Sequence, residues 1–119
     1  VSGDSAEPDV GVEVYVVLVT GPDRESLLRL GRRLVEEELA ACVNVTEGVR
    51  SVYRWQGEVH EEDEGLALVK TTRGRLDDLE ARVVELHPYD EPEFLALSVD
   101  EGARSYLDWV ANSVTPTAT

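Results

Sequence analysis

Two histidines, one cysteine and one lysine carry much of the chemistry open to this 119-residue chain. His87 begins the stretch HPYDEPE, residues 87–93. A neutral imidazole is a good copper or zinc ligand, and Asp90, Glu91 and Glu93 bring carboxylates within a short loop. His87 and Glu93 are therefore candidate metal ligands. The same stretch also reads as structure: Pro88 stops a helix, His87 meets its last carbonyls, and Tyr89 and Pro92 stiffen the approach to the next strand. No CxxC or HxxxH spacing decides for metal. Cys42 could supply a soft thiolate that favours Cu(I), or act as a small hydrophobe at a helix-to-strand junction. The run HEEDE, residues 60–64, could hold a hard cation, but such a run at a hairpin tip is most often a solvated, self-repelling loop.

Lys70 is the only lysine, and it stands in an otherwise apolar strand. An unpaired buried ammonium is costly, so it must reach solvent or meet a carboxylate. One reading makes it an anion-binding group in a cleft with Tyr53, Trp55 and Tyr89. The other pairs it with a nearby acid and leaves Tyr53 and Trp55 as interface or core aromatics.

Charge narrows the partners. With 25 acidic and 11 basic residues the net charge is -14, which repels nucleic acid and anionic membrane surfaces and concentrates cations near the chain. A single cysteine makes no internal disulfide, so a reducing, cytoplasmic location is expected. No apolar run approaches the roughly 20 residues of a membrane span, and the start VSGDSAEPDV lacks the regions of a signal peptide.

The elements that must position these residues follow from periodicity. Residues 1–9 and 115–119 read as disordered tails, the first of them acidic, around one domain at 10–114. Val10 to Thr20 is rich in β-branched residues and reads as a buried strand. Asp23 caps a helix reaching about Ala40, with Leu27, Leu30 and Leu34 on its apolar stripe. Cys42 to Trp55 alternates as a long strand with Gly48 placed for a bulge, and Gly65 to Thr72 returns antiparallel. A second helix begins at Gly74-Arg75 and ends before Pro88. Glu93 to Val99 is a fourth strand and Ala103 to Val114 a last helix. The fold class is thus α+β, a ferredoxin-like βαββαβ sandwich with an extra C-terminal helix. Right-handed crossovers place the first two helices on one face of the sheet. Tyr15 to Val19, Leu66 to Val69 and Phe94 to Leu97 are apolar in both phases, so the second face also needs cover, and self-association is the simplest source.

VTGPD at 19–23, LVEEELAACVN at 34–44, SVYRWQGEV at 51–59, KTT at 70–72, HPYDEPE at 87–93 and YLDWV at 106–110 run in one order along the chain. With them the sequence resembles the CutA-type divalent-cation tolerance proteins. That resemblance implies a compact homotrimer, similar in architecture to the PII proteins, that binds copper or another divalent cation and carries no catalytic reaction. Members often have a cysteine just before the T-x-P-D turn, where this chain has Val19. A PII-like trimer sensing a small anionic metabolite in inter-subunit clefts through Lys70 is the alternative. An acylphosphatase-type enzyme would need a glycine-rich first loop with an arginine, and only Gly21 and Arg24 stand there.

Overall fold

A computed structural model describes residues 13–115; the expected tails therefore lie outside the described residues, apart from Thr115. Strand β1, Val14–Gly21, alternates as its β-branched composition demands. Val17 and Val19 are fully buried on one face, while Val16 and Leu18 point to the other. Helix α1, Arg24–Glu36, starts where Asp23 accepts a 2.7 Å hydrogen bond from the Ser26 backbone N–H. That bond holds the Asp23 carboxyl below the usual carboxylate range.

The helix ends earlier than the apolar stripe suggested, at Glu36 rather than near Ala40. Glu38 turns to φ +60, and Leu39 N–H bonds back to Leu34 O at 2.9 Å. This left-handed reversal satisfies the last helical carbonyls and turns Leu39 into the core.

Strands β2, Cys42–Trp55, and β3, Glu58–Thr72, form a long antiparallel hairpin. Its turn is Gln56-Gly57, both at positive φ, the backbone that matches the right-handed twist of two strands. The register shifts between Thr46 and Val49, where Gly48 takes φ +89, so the expected bulge is present. The acidic run 60–64 is not a loop at the tip but part of β3. Arg50 on β2 makes this tolerable: it lies 3.2 Å from Glu61 and 3.0 Å from Asp63, offsetting their repulsion across the strand pair. Because β1 pairs with only the Gly65–Thr72 part of β3, the outer part of the hairpin projects beyond the sheet.

A 3-10 turn, Arg73–Arg75, leads into α2, Leu76–Leu86, which stops before Pro88. Strand β4 covers only Leu95–Ser98, shorter than the expected 93–99, and α3 spans Arg104–Val114. The sheet order is β2-β3-β1-β4 with every pair antiparallel, the α+β, ferredoxin-like arrangement with a C-terminal helix. Helices α1 and α2 cover one face, packing Leu27, Leu34, Leu79 and Val83 on Val17, Val19 and Val69. Arg82 clamps them together with two 2.8 Å bonds to the Glu37 carboxylate. On the second face α3 places Val110 and Val114 against Val14 and Ala41. The rest of that face stays open, with Leu95 and Leu97 more than half exposed.

Candidate functional site

The bulge and the projecting hairpin build a cleft beside the open face. After Gly48 the side chains of Ser51, Tyr53 and Trp55 stand opposite Glu62, His60 and Glu58 on the same side of the hairpin. The loop after α2 closes the far wall. The resulting cavity of about 670 Å³ is lined by Tyr53, Trp55 and Tyr89, by the acids Glu62, Glu64, Asp90, Glu91 and Glu93, and by Thr20, Ser51, Val52 and Pro92. Among the described residues no basic side chain lines it.

Hydrogen bonds stiffen this wall. The Tyr89 hydroxyl donates to Glu64 Oε2 at 2.6 Å. Burial, followed by that bond to Glu64, pushes the Tyr89 phenol well above its ordinary range. Tyr53 is also raised, first by the neighbouring Glu62 carboxylate, and its ring stacks on His60 with centroids 5.5 Å apart. Glu93 is half-buried, and its carboxyl is raised by that burial first and by the charge of Glu64 second.

A pH dependence follows. Folded Glu93 holds its proton to higher pH than the unfolded chain does, so this group makes stability fall as pH rises through the window just above the ordinary glutamate value. Glu93→Gln removes that slope. Thermal melts should show the variant gaining over the parent at neutral pH and not gaining once both are below the carboxylate range; an equal gain at every pH would contradict this origin.

His87 is placed quite differently from a metal ligand. It is buried, at 7% exposure. Its Nε2 lies 2.7 Å from Thr20 O, and its Nδ1 accepts the Tyr89 backbone N–H at 3.0 Å. A carbonyl only accepts and an N–H only donates, so the ring is the neutral Nε2–H tautomer with both nitrogens engaged. On its other side His87 lines a separate cavity of about 300 Å³ that also includes Arg29 and Arg33, charges that oppose a metal cation. His87 is thus the buried post of the loop that carries Tyr89 and Glu93.

Nor does Lys70 share the cleft with Tyr53, Trp55 and Tyr89. It pairs with Cys42 and Val16 in the sheet, six residues along β3 from Glu64, a span of about 20 Å in extended chain. Its ammonium hydrogen-bonds Asn44 Oδ1, to which the Cys42 thiol is also directed at 3.8 Å. Cys42 therefore lies at the far end of the sheet from Glu93. Among the described residues, no three His, Cys, Asp or Glu side chains are grouped so as to hold a metal ion. Glu62 and Glu64, offered by the sequence only within the run 60–64 at a hairpin tip, reach the cleft because that run is strand and its alternation puts residues 60, 62 and 64 on one side.

Compared with protein-family models, residues 15–113 match the CutA1 divalent ion tolerance protein. The chain belongs to the CutA1 family. It is 54% identical over 95 residues to the divalent-cation tolerance protein CutA of Thermus thermophilus, an alignment covering 80% of this chain and 92% of that one. It is 44% identical over 102 residues to the chloroplastic CutA protein of Arabidopsis thaliana, of which it spans 56%. Among solved structures, CutA1 from Oryza sativa superposes with a TM-score of 0.85 at 42% identity, covering 89% of this chain and 97% of that one. The Thermus thermophilus CutA1 structure gives 0.83 at 50% identity, with coverages of 86% and 99%. The Thermus thermophilus relative bears the name of a tolerance protein rather than of an enzyme.

Proposed function

We propose that this CutA-family protein works as a homotrimer in divalent-cation tolerance and takes copper or another divalent cation at the carboxylate-lined cleft, without catalysing a reaction. One observation carries the reading: among the described residues, five acids and no base line the cleft. Glu93 is held close enough to Glu64 to feel its charge, and a cation relieves that repulsion. Among the described residues the donors of one chain do not complete a coordination shell, so a neighbouring copy supplies the remainder. The half-exposed Leu95 and Leu97 and the partly exposed Val16, Leu18, Leu66 and Leu68 give that copy an apolar surface to bury. The rival reading, an anionic metabolite bound through Lys70, has less support, because Lys70 is held by Asn44 away from the aromatic side chains. Oxygen donors favour hard cations, whereas copper prefers nitrogen or sulfur, so metals of both kinds belong in the test.

Equilibrium dialysis against copper, zinc and magnesium at neutral pH is the experiment, with a Glu64→Gln/Glu93→Gln double variant beside the parent. Retention that falls at least tenfold in the folded double variant supports the cleft. Retention unchanged by it refutes the assignment. Light scattering showing a stable folded monomer at micromolar concentration would refute the trimer.

A further inference from the structure

The copy invoked above buries the face of the sheet that carries Val16 and Leu18. The helix layer lies on the other face, over Val17 and Val19. There a second cavity, of about 300 Å³, opens between the start of α1 and the end of α2, at the lower end of the range of small-molecule sites. Helical spacing builds one wall: Ser26, Arg29 and Arg33 stand at i, i+3 and i+7, so their side chains share one stripe of α1. Leu27 and Leu30, which share the core with Val17 and Val19, make an apolar floor with Leu86. Two guanidiniums and, among the described residues, no acid line the cavity. In a chain of 25 acidic and 11 basic residues, that sign is the exception.

Neither guanidinium is fully engaged within the fold. Arg33 reaches Glu37 at 3.2 Å, but Arg82 already takes both oxygens of that carboxylate at 2.8 Å. Arg29 forms no ion pair among the described residues; its hydrogen bond is to Ser26 Oγ, long at 3.5 Å. Asp23, which feels the charge of Arg29, accepts from the Ser26 N–H and stands outside the lining. A guanidinium presents parallel donors that match the two oxygens of a carboxylate. A bare inorganic anion would leave the leucine floor unused, and a neutral molecule would leave the arginines unpaired. We infer that this cavity binds a small organic acid, its carboxylate on Arg29 and Arg33 and its hydrocarbon part on Leu27, Leu30 and Leu86. The site lies within one subunit and apart from the acidic cleft, so it goes beyond the cation reading and does not depend on it.

Benzoate and benzyl alcohol share a ring and differ in charge, whereas inorganic phosphate has the charge without the ring. Dialysis of labelled benzoate against the 119-residue chain in its own solution assembly, at neutral pH and fixed ionic strength, should show half-saturation below roughly 10 mM, the limit of weak binding. Arg29→Gln should weaken that binding at least fivefold. Arg32→Gln removes the same charge from the same helix, but Arg32 lines a different groove beside Val43 and Val45, so it should change binding less than twofold. Both arginines are exposed, and circular dichroism confirms that each variant is folded. Unlabelled benzoate should displace the label at a concentration at least tenfold lower than the alcohol or phosphate needs. Equal losses in the two variants would reduce the effect to the general field of the protein and overturn the inference. So would an absence of benzoate binding up to that limit, the result expected if a neighbouring copy covers the cavity, and so would displacement by phosphate or the alcohol as readily as by benzoate.

Discussion

His87→Ala should lower the stability of the fold by about 3–5 kcal/mol, the sum expected for stranding two buried backbone groups and opening a cavity. The Thr20 carbonyl and the Tyr89 N–H both lose their partner at once. Neither is readily supplied by water, because the ring they share is 7% exposed. Thr20 ends the central strand and Tyr89 begins the loop of the cleft, so the imidazole ties sheet to site. His87→Gln keeps a donor at the end of the side chain but cannot also accept from Tyr89 N–H, so about half of the loss should return. Urea midpoints of the two variants at one protein concentration provide the check. A midpoint for His87→Ala within experimental error of the parent would mean that the ring is not the post described here. The opposite expectation, that His87 is chiefly a metal ligand, predicts little change in metal-free stability and a large change in metal retention.

The second large effect concerns Leu27 and the glycine pair beneath it. Gly21 and Gly65 face each other across β1 and β3, and Leu27, 1% exposed, packs over both. A Cβ at Gly21 would come within 2.7 Å of Leu27 Cδ2 and 2.9 Å of Cγ, and one at Gly65 within 3.0 Å of Cδ1. The first turn of α1 lies close to the sheet because these two residues have no side chain. Leu27→Ala should therefore cost about 2–5 kcal/mol, and Gly21→Ala alone about 1–3 kcal/mol through overpacking. Combined, the new methyl enters the space that the leucine vacated, and the double variant should be more stable than the two losses added predict, by at least about 1 kcal/mol. Denaturant unfolding of all four proteins tests this. Strict additivity would mean that the close approach is relieved elsewhere, without Leu27.

How far the sequence reaches is clearest at the cleft. Tyr53, Trp55, Tyr89 and Glu93 were legible as candidates, because aromatic and acidic side chains of those types stand in an alternating strand and in a proline-bounded loop. Glu62 and Glu64 were legible only as members of the run 60–64 and in the wrong place, since the dense charge of HEEDE suggests a solvated tip; Arg50, placed opposite by the register after the bulge, makes the strand tolerable. His87 reads as either a ligand or a helix stop from its type and its proline neighbour. What decides is the partner of each ring nitrogen, and one of these, Thr20 O, is 67 residues away. Lys70 shows the same limit: its type asked for a partner, and only the sheet register shows that Asn44 supplies it and that the cleft lies elsewhere.

By itself, then, the sequence determined the order of elements, the α+β class and the family, since hydrophobic period, caps and motifs are local properties carried along the chain. Helix ends, the extent of the hairpin and the membership of the site were decided by tertiary structure. Each of those depends on a contact between distant residues: Leu39 folding into the core, Arg50 compensating two acids, Thr20 claiming the imidazole. The energies of such contacts depend on distance and burial, quantities that exist only once the chain has folded.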